Sequence, residues 1–210
     1  MNVVVDAASL ARDERADLAD FLATLTPEQW GSPSLCDGWR VRDVVAHVFS
    51  YEDLGLPGLV GRFVSGGLNP DRINAIGIAG DATRTTGDLV QHARDHLEPR
   101  GLTALFGGRI ALTDALIHHQ DIRRPLGATR EIPTERLRCA LDFAPTAPPL
   151  RARKRVRGLE LVATDIEWRS GKGPVVEGPA EALLMAIAGR PMAVDELKGS
   201  GQPMLAARLP

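Results

Sequence analysis

Asp114 and His118 stand four residues apart in Leu105–Arg124, a run with no proline until Pro125. That spacing puts both side chains on one face of a helix, a common way of presenting two metal ligands. A second helical pattern carries His47 on the face of Val44 and Val48, pointing toward the interior of a helical assembly. Two imidazole nitrogens and one carboxylate oxygen form a facial triad, a donor set suited to zinc, nickel or iron(II) with coordination positions left open. An open position is what catalysis needs, since it can hold water or activate a thiol. A lone histidine on a helix is usually structural, so the argument rests on the spacing. Asp121 lies three residues beyond His118 on the same side. There it either orients the histidine from outside the coordination sphere or is simply solvated.

Other residue pairs compete with this reading. His92 and His96 are also four apart, but their helix is otherwise polar (Gln91, Arg94, Asp95, Glu98), and a solvated face explains them better. His119 is about 100° round the helix from His118 and should face elsewhere. Cys36 is a candidate nucleophile with no base near it in sequence, so a small buried hydrophobe is the favoured reading. The glycine-rich stretch Gly55–Gly67 matches neither phosphate-binding fingerprint, and no G-x-S-x-G elbow is present.

The positioning elements are mostly helices. Apolar spacing predicts helices from about Ser9 to Leu25, Arg40 to Tyr51, Asp88 to Leu97, Leu105 to Arg124 and Pro133 to Phe143. Gly55 to Asp81 reads as short helices and irregular chain. At Ala144 the composition changes: APTAPPL reads as a linker, and the basic run Arg151–Arg157 as a solvated lead-in rather than an anion site. Beyond it, Leu159–Val162, Ile166–Trp168 and Val175-Val176 look like strands and Pro179–Ala188 like a helix. Met204–Leu209 reads as a final helix or an edge strand. The expected organisation is a helical domain over 1–145 and a small α+β domain over 150–210.

Composition narrows the function class. The 210 residues carry 25 Lys+Arg against 27 Asp+Glu, a net charge of -2, which argues against a nucleic-acid partner. Aromatics at 4% leave no stacking platform for single strands. No apolar run reaches the roughly 18–20 residues of a membrane span, and the N-terminus lacks a signal pattern, so a cytoplasmic protein with no membrane partner is expected. Cys36 and Cys139 are too few for a disulfide framework or a cysteine-based zinc site. The basic residues are nearly all arginine, which points to a GC-rich genome.

Several segments together resemble the mycothiol-dependent maleylpyruvate isomerase family of the DinB-like superfamily. They are Trp30 after Thr26-Pro27-Glu28, the turn Cys36-Asp37-Gly38-Trp39, the run Val41 through His47, and the segment from Asp114 through His118 and Asp121. Gly173-Pro174, Gly178-Pro179 and Gly189-Arg190 carry the match in the C-terminal part. The resemblance implies a mainly α protein, a DinB-like four-helix bundle followed by a small α+β sterol-carrier-like domain. It implies a divalent metal on His47, Asp114 and His118, with zinc favoured over nickel or iron. It further implies mycothiol as a thiol cofactor whose metal-activated thiolate isomerises, or is transferred to, a small electrophilic substrate, and an actinobacterial source. The protein's own cysteines are then not needed, and Arg109 or Arg123 is a candidate for holding an acidic substrate. Oligomerisation is expected to stop at a monomer or homodimer. The family's carboxylate is Glu where this chain has Asp114, one methylene shorter. A bundle that has kept its fold and lost its chemistry, binding metal or a small molecule, is therefore the alternative.

Overall fold

The structure is a computed structural model and describes residues 6–67 and 69–209 of the chain. It comprises two compact units, Asp6–Arg130 and a second beginning at Glu131.

In the first unit, Asp6 caps helix α1 (Ala7–Leu22) by accepting from the Ala8 amide. A one-turn helix α2 (Pro27–Trp30) follows, closed by a reciprocal Thr26–Gln29 capping box. Helix α3 (Val41–Phe49) starts where the Asp43 carboxylate accepts from the Arg40 amide. Two regular helices, α4 (Leu56–Ser65) and α5 (Pro70–Gly80), occupy the stretch expected to be partly irregular. Each carries proline in its first turn, where no amide is needed, so proline begins these helices instead of breaking them. Thr85 and Asp88 form the capping box of α6 (Thr86–Asp95).

Helix α7 (Arg109–Arg123) begins four residues later than its apolar pattern suggests. Leu105–Gly108 is a separate turn, with Phe106, Gly107 and Gly108 all at positive φ. Gly108 is required there. Its φ is +88°, and a Cβ would lie 2.7 Å from the Cα of Ala8.

Helices α1, α3, α6 and α7 form the four-helix bundle, α1 and α3 each touching both α6 and α7. Leu18, Leu22, Val44, Val48, Phe49 and Leu89 fill it at 1% exposure or less. Each such side chain contributes roughly 1.5–3 kcal/mol by leaving water.

The second unit begins ahead of the boundary expected at 145. Helix α8 (Thr134–Phe143) packs on the helix of the small unit, and its Asp142 accepts from the Trp168 indole at 2.8 Å. The proline run forms two 3-10 turns with Ala144 and Ala147 buried, and a short helix α9 (Arg153–Val156) follows. Arg155 does not simply face solvent: its guanidinium donates to the carbonyls of Leu150 and Ile187. Strand β1 (Glu160–Ala163) is central, antiparallel to β2 (Arg169–Gly171) and parallel to β3 (Val175–Gly178). Helix α10 (Ala180–Ile187), buried at every residue but Glu181, covers β1 and β3, and a helical turn α11 (Gln202–Ala206) ends the unit. The protein is thus mainly α, a helical bundle unit plus a small α+β unit.

Candidate metal centre

Helices α3 and α7 pack against each other and bring together His47, Asp114 and His118. One donor atom from each lies within 4.8 Å of the other two. His118 Nε2 is 3.5 Å and His47 Nε2 3.8 Å from Asp114 Oδ1. Ligands bound to one ion at about 2.0–2.2 Å sit roughly 3.3–3.6 Å apart in a tetrahedron, so the two carboxylate–imidazole distances match such a set to within a few tenths of an ångström. Both histidines are nearly buried, while the Asp114 side chain keeps 33% of its surface exposed, which leaves an open side. The donor set fits a divalent ion.

The two imidazoles are held differently. His118 Nδ1 donates to Asp121 Oδ2 at 2.9 Å, leaving Nε2 facing Asp114, where a proton or an ion bridges the two. The Asp121 side chain is fully buried and not solvated. His47 Nδ1 is buried with no partner among the described residues, so packing alone orients the ring. Trp39 lies 5.1 Å and Tyr51 6.2 Å from it, centroid to centroid, and the His118 ring stands edge-on at 4.9 Å.

Charge at the centre favours a cation. Burial pushes the His118 imidazolium down, but Asp114, Cys36 and Asp121 outweigh it and hold His118 well above its ordinary value. Burial would raise Asp114; His118 and His47 overcome this and keep its carboxyl ionised. For His47 burial dominates and the ring stays neutral, as a metal ligand must.

Cys36 belongs to this centre, which sequence spacing did not reveal. The Leu35 amide donates to the Asp121 carbonyl and docks the loop on α7. Cys36 Sγ then donates to Asp121 Oδ2 at 3.2 Å, with His118 Nδ1 at 3.6 Å. The contact is made 85 residues away in the chain, so no local pattern could carry it. Arg123 is committed elsewhere: its Nε donates to His119 Nε2 at 2.7 Å and its guanidinium lies 3.8 Å over the Phe21 ring. Arg109 is exposed at the start of α7.

His119 does face away from His118, as expected, into a buried network. Its Nδ1 donates to Glu14 Oε1 at 2.9 Å, and Arg130 donates to both Glu14 oxygens. Beside Glu14, Arg15 pairs with buried Glu52 at 2.6 Å. The sequence signal for Glu14 was its place on the stripe of Ala11 and Leu18.

His92 and His96 depart from the solvated face assigned to them. His92 is buried against Phe49, and both rings converge on Asp53.

Comparison with known proteins bears on the bundle and on the fold. Residues 11–57 match the family described as the mycothiol maleylpyruvate isomerase N-terminal domain. The segment holds most of α1 together with α2 and α3, and includes Trp30, Cys36 and His47, part of the set that carries the resemblance. Among solved structures, a mycothiol-dependent maleylpyruvate isomerase aligns over 93% of this chain and 92% of its own, with TM-score 0.60 and 19% identity. A histidine-to-alanine mutant of a mycothiol-dependent maleylpyruvate isomerase aligns over the same shares with TM-score 0.59 and 18% identity. At that identity the likeness establishes the shared fold over both units. No curated protein matches the chain.

Proposed function

We propose that this protein is a metal- and thiol-dependent enzyme of the maleylpyruvate isomerase type, working with mycothiol on a small electrophilic substrate. The observation that carries the reading is the convergence of His47 Nε2, His118 Nε2 and Asp114 Oδ1 on one point with an open side. The family match over residues 11–57 and the shared fold support it. A divalent ion at this point, zinc in the first instance, would supply a centre that makes a bound thiol a thiolate at neutral pH.

The chain's own residues supply positioning. His47, Asp114 and His118 are the ligands, and Asp121 fixes the His118 tautomer so that Nε2 faces the ion. Trp39 and Tyr51 wall the His47 side. Arg62, stacked 4.1 Å over Tyr51, adds positive field suited to an acidic substrate. No chain nucleophile is required, because Cys36 is engaged with Asp121 as a donor. A thiol bound there would supply a nucleophile for reversible addition to a conjugated double bond, the chemistry that interconverts cis and trans forms and recovers the thiol. A cytoplasmic location follows from the need for a reduced thiol pool. No helix among the described residues is long and apolar enough to cross a membrane.

The test is elemental analysis of protein purified without chelator, followed by cis–trans isomerisation of maleylpyruvate with and without mycothiol, read by ultraviolet absorbance. Near-stoichiometric metal, lost in His47→Ala, and turnover only with thiol are expected. Metal-free wild-type protein, or turnover undiminished without thiol, would overturn the proposal. Stoichiometric metal with no turnover on any electrophile tested would favour a binding module.

A further inference from the structure

The convergence of His92, His96 and Asp53 is not used by the function proposed above. The His96 Nε2 lies 2.9 Å from Asp53 Oδ1, and His92 Nε2 lies 3.6 Å from Asp53 Oδ2. The donor atoms all fall within 4.8 Å of one another. The two histidines are one turn apart at the C-terminal end of α6, and Asp53 follows α3. Its residues are a different set from His47, Asp114 and His118.

Three features distinguish this from an incidental surface cluster. First, His96 Nδ1 donates to the His92 carbonyl at 2.8 Å, so in the neutral ring Nε2 is a lone pair aimed at a carboxylate oxygen. Two lone-pair atoms at that distance need a cation between or beside them, either a proton or a metal. Second, the rings stand 4.4 Å apart, too close for both to carry a proton without mutual repulsion. Third, the frame is rigid. Arg15, 1% exposed, joins the two sides: it pairs with Glu52, next to Asp53, and donates to the His96 carbonyl at 3.0 Å. Glu52 is held in turn by the Thr103 hydroxyl at 2.7 Å and the Arg100 amide at 3.0 Å. Ligands held by a buried polar network need little reorganisation when an ion arrives.

We propose that Asp53, His92 and His96 form a second binding site for a divalent transition ion, independent of the first. Two imidazoles and one carboxylate select zinc, nickel or copper over magnesium or calcium. Asp53 is 57% exposed, and with His92 it lines a cleft bordered by Ser50, Arg62 and Asp81, so water or a small anion can complete the coordination. Arg84, whose Nη2 is 3.7 Å from Asp53 Oδ2 and whose Nε pairs with Asp81 at 2.6 Å, competes for the carboxylate. It makes this the weaker of the two sites.

Zinc alone is titrated into the full chain, stripped of metal, by calorimetry. The wild type takes two equivalents, and the double variant His92→Gln/His96→Gln takes one. The double variant His47→Ala/His118→Ala keeps one, and Arg84→Gln tightens that remaining site. Each single loss of a histidine here weakens the second site at least about tenfold, the lower end of the effect of outer-shell changes alone. Copper(II) bound to His47→Ala/His118→Ala, read by electron paramagnetic resonance, shows coupling to two nitrogens. His119 does not confuse the reading, being wholly buried and paired with Glu14. Unchanged stoichiometry in folded His92→Gln/His96→Gln protein overturns the proposal, as does no binding by folded His47→Ala/His118→Ala protein. Failure of the first site alone appears differently: the wild type takes one equivalent, which His92→Gln/His96→Gln abolishes.

Discussion

Replacing Glu14 by Gln removes one charge from the buried network that ties α1 to α7 and leaves its shape intact. The Glu14 side chain is fully buried and accepts from His119 Nδ1 and from both terminal nitrogens of Arg130. Burial would raise its pKa, but the His119 hydrogen bond and the Arg130 charge outweigh that and bring it from 4.5 to about 2. Folding therefore favours the carboxylate, and the sign follows: this stability is present above pH 4.5 and lost as pH falls toward 2. At about 1.4 kcal/mol for each tenfold change in proton affinity, the charged form contributes roughly 3 kcal/mol at pH 7. The same linkage leaves only about 1.5 kcal/mol at pH 3. Glu14→Gln should thus cost about 3 kcal/mol at pH 7 and about half that at pH 3. His119, lowered to about 4 chiefly by burial, weakens the fold in a higher window as pH falls from 6.5 to 4, and both endpoints lie outside it. Urea unfolding followed by far-ultraviolet circular dichroism at the two pH values measures the gap. A cost below about 1 kcal/mol at pH 7, or an equal cost at pH 3, would refute the assignment of Glu14 as a buried carboxylate stabilised by its charge.

Asp114→Glu tests whether the centre is built for aspartate. Asp114 already lies 3.5–3.8 Å from both imidazole nitrogens, so an added methylene should overpack the site by roughly 1–3 kcal/mol and weaken zinc in a chelator competition. This reverses the sign that the shorter side chain suggests from sequence; tighter binding would mean aspartate reaches the ion poorly. Asp121→Asn replaces the charged acceptor of His118 Nδ1 and should weaken zinc about 10–100-fold in the same competition, while unchanged affinity would make Asp121 a packing residue. Gly108→Ala places a Cβ against the α1 backbone at a left-handed position and should cost at least about 2 kcal/mol in thermal or urea unfolding; a neutral result would show that α1 gives way easily.

The bundle helices were legible because their apolar positions repeat at three and four and their caps are side chains adjacent in sequence. Asp114 and His118 were legible for the same reason, since a helix converts their spacing of four into proximity. His47 needed only the direction of the Val44–Val48 face. Cys36 and Asp53 were not legible, because each finds its partner across the fold through a loop, and for Glu14 the stripe showed burial but not its partners His119 and Arg130. His92 was misread because a polar helix was assumed to be solvated on that side, whereas Arg15 and Glu52 satisfy the polar groups there from within. Helices α4 and α5 were expected only as short helices among irregular chain, because glycine and proline there weaken the helical pattern.

Glu14 and Arg15 are consecutive on α1 and point about 100° apart, so one helix sends a buried negative charge to one neighbour and a buried positive charge to another. Sliding α1 by one residue would strand both charges among apolar groups, so its seating is all or nothing. Glu14 braces the helix that carries His118, and Arg15 braces the turn and helix end that carry Asp53 and His96. A helix that contributes no ligand thus acts as the common keystone of both clusters. Loosening α1 at its first turn, where Gly108 admits it, should slacken the two together even though no donor atom has been touched.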